Sequence, residues 1–290
     1  MHKFKESQLI INSDGSIYHL KLHPENIADN VILVGDPGRV DTISSYFDKI
    51  IFQDNNREFF TVTGMLKREK ITVISTGIGP DNIDIVLNEL DALVNIDFDT
   101  RTVKNKLRTL NIYRLGTSGA IQADIDIDTF AIAKLGLGID GLANFYNVSN
   151  ELLESTIETA FIEHANWPER LAAPYIIKCS EKLSSKFAKD FITGITLTAP
   201  GFYAPQGREL RIGLKYPQLP EKIRSFNYDN TRIINYEMET SALYALGRSL
   251  GHNVITICAV LANRYKEKYS KNPLQTIDSL VKNVLEIIVS

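Results

Sequence analysis

The chain has 290 residues, 44% of them hydrophobic and 23% charged, which is the composition of a globular protein with enough length for a large core. Its net charge of -3 gives no reason to expect a nucleic acid or an anionic membrane as a partner. The five histidines show no metal-ligand spacing. Two cysteines cannot form a disulfide framework, and neither a signal peptide nor a membrane span is evident. The expected location is therefore the cytosol.

Apolar runs alternate with helical patterns in the first half of the chain. Residues 31–34 are apolar and lead into the glycine turn Gly35-Asp36-Pro37-Gly38, which a helical pattern follows over residues 40–47. A second apolar run at residues 71–75 leads into another glycine turn, at residues 76–80. The next helix is predicted from apolar residues at helical spacing, which are Ile83, Leu87, Leu90 and Val94.

The second half repeats this alternation. Residues 111–115 precede Gly116-Thr117-Ser118-Gly119, which we predict to be a third glycine turn after a strand. A helical pattern over residues 240–250 precedes the apolar run of residues 254–260. Because these runs are apolar throughout, they suit strands that are covered on both faces. The sequence therefore predicts an α/β fold with a central mixed, mainly parallel sheet flanked by helices, in a single domain over residues 1–290.

Two connections fall outside this pattern. Residues 96–110 are rich in charge, and we expect them to be irregular and solvated. Residues 203–230 contain several prolines, which suits a long loop or lid.

Two carboxylates flank one methionine in the motif Tyr236-Glu237-Met238-Glu239. The motif comes just before the helical pattern, so both carboxylates can reach into one cleft at a strand-to-helix junction. Carboxylate oxygens accept hydrogen bonds from hydroxyl groups, which favours a polyol such as ribose as the ligand. The alternative is an ordinary helix start with acidic residues that complement the helix dipole.

Arginines lie close to two of the three glycine turns. Arg39 follows the first turn, and Arg114 precedes the third. In a parallel α/β sheet, ligands collect at the carboxyl ends of the strands, where glycine lets backbone amides approach an anion and arginine adds forked donors. We therefore predict a site for phosphate, although each turn taken alone is more often a tight strand-to-helix connection than a site.

A planar base is the ligand suggested by a third segment, residues 202–208. Gln206 offers both a donor and an acceptor, and Arg208 offers donors only, so together they can read the edge of an amide-like ring. Phe202 can stack on the face of such a ring. The alternative is a solvated loop with no ligand.

Six motifs in the same order make the chain resemble the hexameric nucleoside phosphorylase family, nearly collinearly from about Tyr18 to Arg264. They are Gly35-Asp-Pro-x-Arg39, Arg57-Glu58-Phe59, Ser75-Thr-Gly-Ile-Gly79, Arg114-x-Gly-Thr-x-Gly119, Phe202-Tyr-x-x-Gln-x-Arg208 and Tyr236-Glu-Met-Glu239. The resemblance implies the family's fold and a pentosyltransferase that converts uridine and phosphate reversibly to uracil and ribose 1-phosphate, a reaction of pyrimidine salvage.

The resemblance also implies roles for individual residues. Phosphate would be bound by Gly35, Arg39, Arg57, Arg114 and Thr117, with Arg57 supplied by a neighbouring subunit. Ribose would be bound by His19, Glu237, Met238 and Glu239, with His19 reaching the adjacent subunit's ribose. The base would be bound by Phe202, Gln206 and Arg208. Catalysis would be carried by Arg39, Arg114, Gln206 and Arg208. Taken alone, His19 fits a surface or structural role.

Departures from the family's pattern bear on specificity and cofactors. Purine-specific members carry an aspartate after the strand that matches residues 254–260, whereas residues 259–263 of this chain contain no carboxylate. Asn82 occupies the position at which some members have a serine that ligates a monovalent cation, so binding of such a cation by this chain is in doubt. No cofactor is expected besides phosphate, which is the co-substrate. The residue 96–110 connection is longer than in compact bacterial members.

We expect a homo-oligomer, a dimer or hexamer with shared active sites, that binds a nucleoside and phosphate. The alternative functions are a purine nucleoside phosphorylase or nucleosidase of the same fold, or a nucleoside-binding protein without catalytic activity.

Overall fold

A computed structural model describes residues 3–187 and 191–290 of the chain. Most strands belong to one large mixed sheet. In chain order the strands are β1 (Asn30–Val34), β2 (Lys49–Asn56), β3 (Phe59–Leu66), β4 (Glu69–Ser75), β5 (Ile96–Asp97), β6 (Thr102–Val103), β7 (Asn111–Ala120), β8 (Phe130–Gly138), β9 (Tyr175–Lys178), β10 (Ile192–Thr198), β11 (Asn227–Tyr228), β12 (Thr231–Glu237), β13 (Asn253–Asn263) and β14 (Lys268–Tyr269). Only the short hairpin of β5 and β6 lies outside this sheet.

Helices connect the strands and cover the sheet. They are α1 (Pro37–Ser44), α2 (Pro80–Asn95), α3 (Ser155–Ala165), α4 (Glu181–Ser184), α5 (Leu219–Ser225), α6 (Thr240–Ser249) and α7 (Pro273–Val289). Short 3-10 helices occur at Pro24–Asn26, Leu142–Phe145, Asn150–Leu152 and Ala204–Gln206. No helix in the described part of the chain is long and apolar enough to cross a membrane.

The central strands are buried because apolar side chains occupy both faces. In β1, four consecutive residues from Val31 to Val34 are fully buried, which is typical of a strand covered on both sides. Helix α2 packs against α6, α6 packs on β8 and β13, and α7 packs on β13 and β7. The main core lies among these elements. The α/β fold with a central mixed sheet and flanking helices is therefore confirmed.

The central strands of the sheet form two parallel sets that run in opposite directions. Strand β1 is parallel to β4 and β7, and β7 is parallel to β13. Strand β10 is parallel to both β8 and β12. The two sets meet antiparallel, since β13 pairs with β8 and β7 pairs with β12. Strands β7, β13, β8, β10 and β12 thereby close into a five-stranded barrel.

Barrel closure makes one sequence prediction wrong. The segment Gly116–Gly119 is not a turn after a strand but lies within β7, which continues to Ala120. Gly116 pairs with Cys258 of β13, and Gly119 pairs with Tyr236 of β12. These partners are far away in sequence, so local turn signals could not reveal the longer strand. The two other glycine turns do connect a strand to a helix, β1 to α1 and β4 to α2.

The two connections predicted to be irregular contain some regular structure. Residues 96–110 include the β5–β6 hairpin. Residues 203–230 include a 3-10 helix, α5 and β11, so the prediction of a long loop was wrong for these elements. Cys258 is buried, as expected from its apolar surroundings, and Cys179 is buried as well. The extent of the single domain over residues 1–290 stays a prediction.

Candidate functional site

The candidate site lies where the two sets of strands meet. Because β12 is antiparallel to β7 and Tyr236 pairs with Gly119, the chain beyond Tyr236 runs back along β7 toward Arg114. The end of β12 and the start of α6 therefore deliver Glu237 and Glu239 to the side chain of Arg114. A guanidinium group from one set of strands and two carboxylates from the other thus share one cleft.

Arg114 is the buried centre of this cleft, with 4% of its surface exposed. Its Nη2 donates a hydrogen bond to Glu239 Oε2, and its Nη1 lies 3.8 Å from Glu237 Oε2. Its Nε and Nη1 form no hydrogen bond with a described residue. Burial alone would lower the pKa of Arg114, but the two carboxylates outweigh burial and raise it. Arg114 therefore stays charged and keeps donors available for an anion.

Arg39 brings a second guanidinium group to the same place. It lies in the first turn of α1, and its Nη1 donates a 3.0 Å hydrogen bond to the carbonyl oxygen of Leu115. Arg39 forms no ion pair with a described residue. Burial, followed by repulsion from Arg114, lowers the pKa of Arg39. Two guanidinium groups held this close favour an anion between them.

Gly35 and Thr117 lie at the carboxyl side of two paired residues, since Leu33 of β1 pairs with Arg114 of β7. Gly35 follows β1, and a Cβ added to it would lie 3.4 Å from the carbonyl oxygen of Gly77, which is ordinary van der Waals contact. Thr117 is half-buried in β7, and its hydroxyl forms no hydrogen bond with a described residue. The structure therefore brings Arg39 close to Arg114, while the phosphate-binding roles of Gly35 and Thr117 stay predictions.

Arg57 and His19 lie apart from this cluster. Arg57 is exposed in the turn between β2 and β3, with a positive φ of 57° and its guanidinium carbon 5.6 Å from the centroid of the Tyr18 ring. Next to Tyr18, the backbone oxygen of His19 accepts a 2.7 Å hydrogen bond from Asn56. No described contact joins Arg57 or His19 to Arg114 within the chain. Both residues belong to one surface that could face another molecule.

Glu237 serves as a cap for α6. Its Oε1 accepts a 2.6 Å hydrogen bond from Thr198 Oγ1, and its two oxygens accept hydrogen bonds from the backbone amides of Glu239 and Thr240. Burial raises the pKa of Glu237, although Arg114 opposes this shift. Because a carboxylate has about four acceptor positions, Glu237 has none left for a ligand.

Glu239 retains acceptor capacity. Its Oε1 accepts a 2.9 Å hydrogen bond from the backbone amide of Gly79, and its Oε2 accepts from Arg114. Each oxygen has one further acceptor position. Half-buried Met238 lies between the two glutamates in sequence and adds an apolar side chain to this end of β12. Of the two predicted ribose-binding carboxylates, Glu239 is the one that can accept from a ligand's hydroxyl groups.

The predicted base-binding residues contact one another. Arg208 Nη1 donates to the carbonyl oxygen of Phe202 at 2.7 Å and also to Gln206 Oε1. The guanidinium carbon of Arg208 lies 3.8 Å from the centroid of the Phe202 ring. Because Gln206 Oε1 already accepts from Arg208, the side chain of Gln206 presents its amide donors. Gln206 is buried, whereas Phe202 is half exposed.

Sequence reasoning did not single out Arg264, which lies beside the predicted base-binding segment. It directly follows β13, and its guanidinium carbon lies 5.1 Å from the centroid of the Tyr236 ring. Its buried Nη1 forms no hydrogen bond with a described residue. Burial lowers the pKa of Arg264, and burial together with repulsion from Arg264 lowers the pKa of Arg208. Its place at the carboxyl end of a buried strand was the signal that could have identified it.

Asn263 fixes the chain just before Arg264. Its side-chain amide donates to the carbonyl oxygens of Gln122 and Ile125, at 2.8 and 2.7 Å. The segment at the end of β13 therefore offers a base neither a carboxylate nor a free amide.

The described residues contain no cluster of three or more His, Cys, Asp or Glu side chains that could hold a metal ion.

Known proteins share this architecture. A family model for the phosphorylase superfamily matches residues 29–290. The uridine phosphorylase of Thermococcus kodakarensis is 31% identical over 271 residues, which cover 93% of this chain and 86% of that protein. A DeoD-type purine nucleoside phosphorylase of Streptococcus suis is 23% identical over 283 residues, covering 94% of this chain and 98% of that protein. The crystal structure of a Trypanosoma brucei nucleoside phosphorylase, which shows uridine phosphorylase activity, matches with a TM-score of 0.85 at 29% identity, covering 97% of this chain and 99% of that one.

Proposed function

The chain belongs to the phosphorylase superfamily, and from this we propose that it catalyses the reversible phosphorolysis of uridine to uracil and ribose 1-phosphate. The observation that carries the proposal is the buried contact between Arg114 and Glu239, which joins an anion site to a hydroxyl-binding carboxylate. Relatives named uridine phosphorylase match nearly the whole chain and support the choice of substrate. Measuring uracil release from uridine with and without phosphate tests it.

Phosphate is the nucleophile in this proposal. Arg39 and Arg114 hold it with charge-assisted hydrogen bonds, and the hydroxyl of Thr117 adds another contact. Held next to the ribose, the dianion attacks the anomeric carbon as the bond to the base breaks, and it stabilises the positive charge that develops there. The rate enhancement then comes from positioning and electrostatics, so no side-chain nucleophile is needed.

The leaving base gains negative charge, which the second group of donors stabilises. Gln206 offers amide donors, while Arg208 and Arg264 place two guanidinium groups beside it. Because burial lowers the pKa of both arginines, each gains from an anion nearby. Uracil can therefore leave as a delocalised anion without a general acid.

Glu239 binds the ribose in this arrangement, and Glu237 positions it. The vicinal 2'- and 3'-hydroxyls of a ribose match the remaining acceptor positions of Glu239. Glu237 instead holds the first turn of α6 through the amides of Glu239 and Thr240. This division of roles refines the expectation that both carboxylates contact the sugar.

The alternative functions are not favoured. A nucleosidase does not need the paired guanidinium groups of Arg39 and Arg114. A nucleoside-binding protein does not need a second pair of guanidinium groups, those of Arg208 and Arg264, beside the base. A purine phosphorylase would gain from an acid at the end of β13, where Asn263 is engaged with backbone carbonyls. We propose no cofactor besides phosphate as co-substrate, and the cytosol as the compartment.

We further propose that the active unit is a homo-oligomer, at least a dimer, in which Arg57 and His19 complete the neighbouring subunit's site. The exposed position of Arg57 and its separation from Arg114 support this arrangement. Mixing inactive Arg57→Ala subunits with inactive Arg208→Ala subunits, followed by dissociation and reassembly, should restore activity. In a random mixture of dimers, about a quarter of all sites regain both arginines.

A mixture of Arg208→Ala and Arg264→Ala subunits is the matched control. Both residues belong to the same subunit's base site, so no hybrid site regains both and no activity should return. Two results would contradict a shared site: no recovery in the first mixture despite proven hybrid formation, or full activity of a wild-type monomer.

A further inference from the structure

We infer that a cavity behind residues 202–208, the base segment, is a second ligand site that binds a hydroxyaryl carboxylate and whose occupancy favours binding of the base. The cavity has a volume of about 410 Å³, within the range of roughly 300–1,000 Å³ that is usual for small-molecule sites. It lies between the chain that follows α3, helix α5 and the base segment. Binding there does not depend on the proposed reaction, whereas the effect on the base rests on the proposed function.

This cavity is separate from the proposed active site. Ala204, Pro205 and Gly207 of the base segment line it, whereas the three predicted base-binding side chains do not. The two arginines of the phosphate site do not line it either. A ligand in the cavity therefore contacts the back of the base segment and leaves the substrate positions free.

The walls of the cavity are mainly apolar and carry several rings. Among the apolar and ring-bearing side chains that line it are Leu214, Leu219, Ile223, Pro220, Trp167 and Tyr216. Aromatic side chains pack favourably on other aromatic rings, stacked with an offset or edge to face. The body of the ligand is therefore expected to be an aromatic ring.

The charge available at the cavity is positive. Arg170 and Lys215 line it, are exposed, and form no ion pair with a described residue. The one acidic residue of the described lining is Asp140, whose carboxylate already accepts hydrogen bonds from the hydroxyls of Tyr175 and Ser241. Two unpaired cations and one engaged carboxylate favour an anionic ligand group, and a carboxylate matches them through charge-assisted hydrogen bonds.

Tyr236 supplies a buried donor to the same cavity. It lines the cavity with 4% of its surface exposed, and its hydroxyl forms no hydrogen bond with a described residue. Burial raises the pKa of Tyr236, so the hydroxyl stays protonated. Because a buried donor without a partner is unfavourable, a ligand that brings an acceptor gains affinity there. A hydroxyl on the ring, opposite the carboxylate, is such an acceptor.

Gly207 links the cavity to the base site. It directly follows Gln206 with a φ of 71°, and a Cβ added to it would clash with Pro220 of α5. The base segment and α5 are therefore in direct contact. A ligand between them restricts the backbone that carries Gln206, so the base pays less of the cost of ordering it. Occupancy of the cavity should thus raise the affinity for the base.

The first measurement is calorimetric titration with 3-(4-hydroxyphenyl)propionate. It should bind at one site per chain with a Kd on the order of 1 mM, as expected for a ligand of this size. Trp167 is the single tryptophan of the chain and lies in the cavity wall, so tryptophan fluorescence should change with the same Kd. The neutral analogue 3-(4-hydroxyphenyl)propan-1-ol should bind about tenfold more weakly. No saturable binding, or saturable binding without a change in fluorescence, would overturn the inference.

Two variants test the two ends of the ligand. Lys215→Glu should weaken binding of the carboxylate about tenfold and leave the alcohol unaffected. Lys106→Glu is the matched control, because Lys106 is also exposed and forms no ion pair with a described residue. Tyr236→Phe should abolish the advantage of 3-(4-hydroxyphenyl)propionate over 3-phenylpropionate. Unchanged carboxylate affinity in Lys215→Glu, or an unchanged preference for the ring hydroxyl in Tyr236→Phe, would overturn the inference.

The last measurement repeats the titration in saturating uracil. The probe should bind about fivefold more tightly with the same stoichiometry, and by linkage it should raise the affinity for uracil by the same factor. The KM for uridine should fall, while the KM for phosphate should not change. Displacement of the probe by uracil would place it in the base site, and unchanged affinity would remove the coupling; either result would overturn the inference. A protein that binds the probe but phosphorolyses no uridine would instead contradict the proposed function.

Discussion

Replacing Arg114 by alanine should lower kcat/KM for uridine phosphorolysis more than any other single substitution considered for the phosphate site. Arg114 is the buried group that pairs with Glu239, and its remaining donors are proposed to bind phosphate. Loss of one charge-assisted contact to the transition state costs about 2–4 kcal/mol, which is tens- to a thousand-fold in rate. Steady-state kinetics with varied phosphate should show a higher KM for phosphate and a lower kcat.

Arg39→Ala provides an independent variant, because Arg114→Ala also leaves two buried carboxylates unpaired and can destabilise the fold. Arg39 forms no ion pair with a carboxylate among the described residues, so its loss should raise KM for phosphate without a comparable loss of stability. Arg248→Ala is the matched control, since Arg248 also donates to backbone carbonyls but lies at the far end of α6. A folded Arg114→Ala protein with wild-type kinetics would contradict the phosphate site.

Uridine should exceed inosine and adenosine in kcat/KM by at least about two orders of magnitude, on the order of 3 kcal/mol. The donors of Gln206, Arg208 and Arg264 match the polar edge of uracil, and a site built to pair such an edge rejects bases that leave its buried groups unpaired. No acid lies at the end of β13 to assist a departing purine. Initial rates across a nucleoside panel measure this ratio.

Gln206→Ala should lower kcat/KM for uridine on the order of a hundredfold while KM for phosphate changes little. Gln218→Ala is the matched control, because the side chain of Gln218 is exposed in the same region of the chain and forms no described hydrogen bond. Comparable efficiencies with inosine and uridine would contradict the base site and leave the fold and the phosphate site unaffected. That comparison matters because a purine nucleoside phosphorylase also matches 94% of the chain.

Local signals in the sequence predicted the parts of the site that depend on short-range structure. The sequence pattern correctly placed the glycine turn before Arg39 and the strand-to-helix junction before α6. Glycine, proline and capping residues determine the backbone within a few positions along the chain, so such features can be predicted locally. The apolar runs predicted the buried strands for the same reason. At residues 202–208 the spacing predicted an extended loop in which Gln206 and Arg208 read one ring edge, whereas a 3-10 helix there brings the two side chains into contact with each other.

Features that depend on pairing between distant strands could not be predicted. The glycines of residues 116–119 lie inside β7 because the barrel closes through β12. Arg264 lies over the Tyr236 ring because β13 ends beside β12, a relation that only the strand register reveals. The capping role of Glu237 depends on Thr198, 39 residues away. The pairing of Glu89 with His19 likewise has no local signal.

Analysis of both products of uridine turnover tests the central claim most directly. The protein is incubated with uridine in phosphate and in phosphate-free buffer, and uracil is quantified alongside the sugar product by ³¹P NMR. The account predicts equal amounts of uracil and ribose 1-phosphate with phosphate present, and negligible uracil without it. Uracil release at the same rate in phosphate-free buffer, with free ribose as the product, would contradict it.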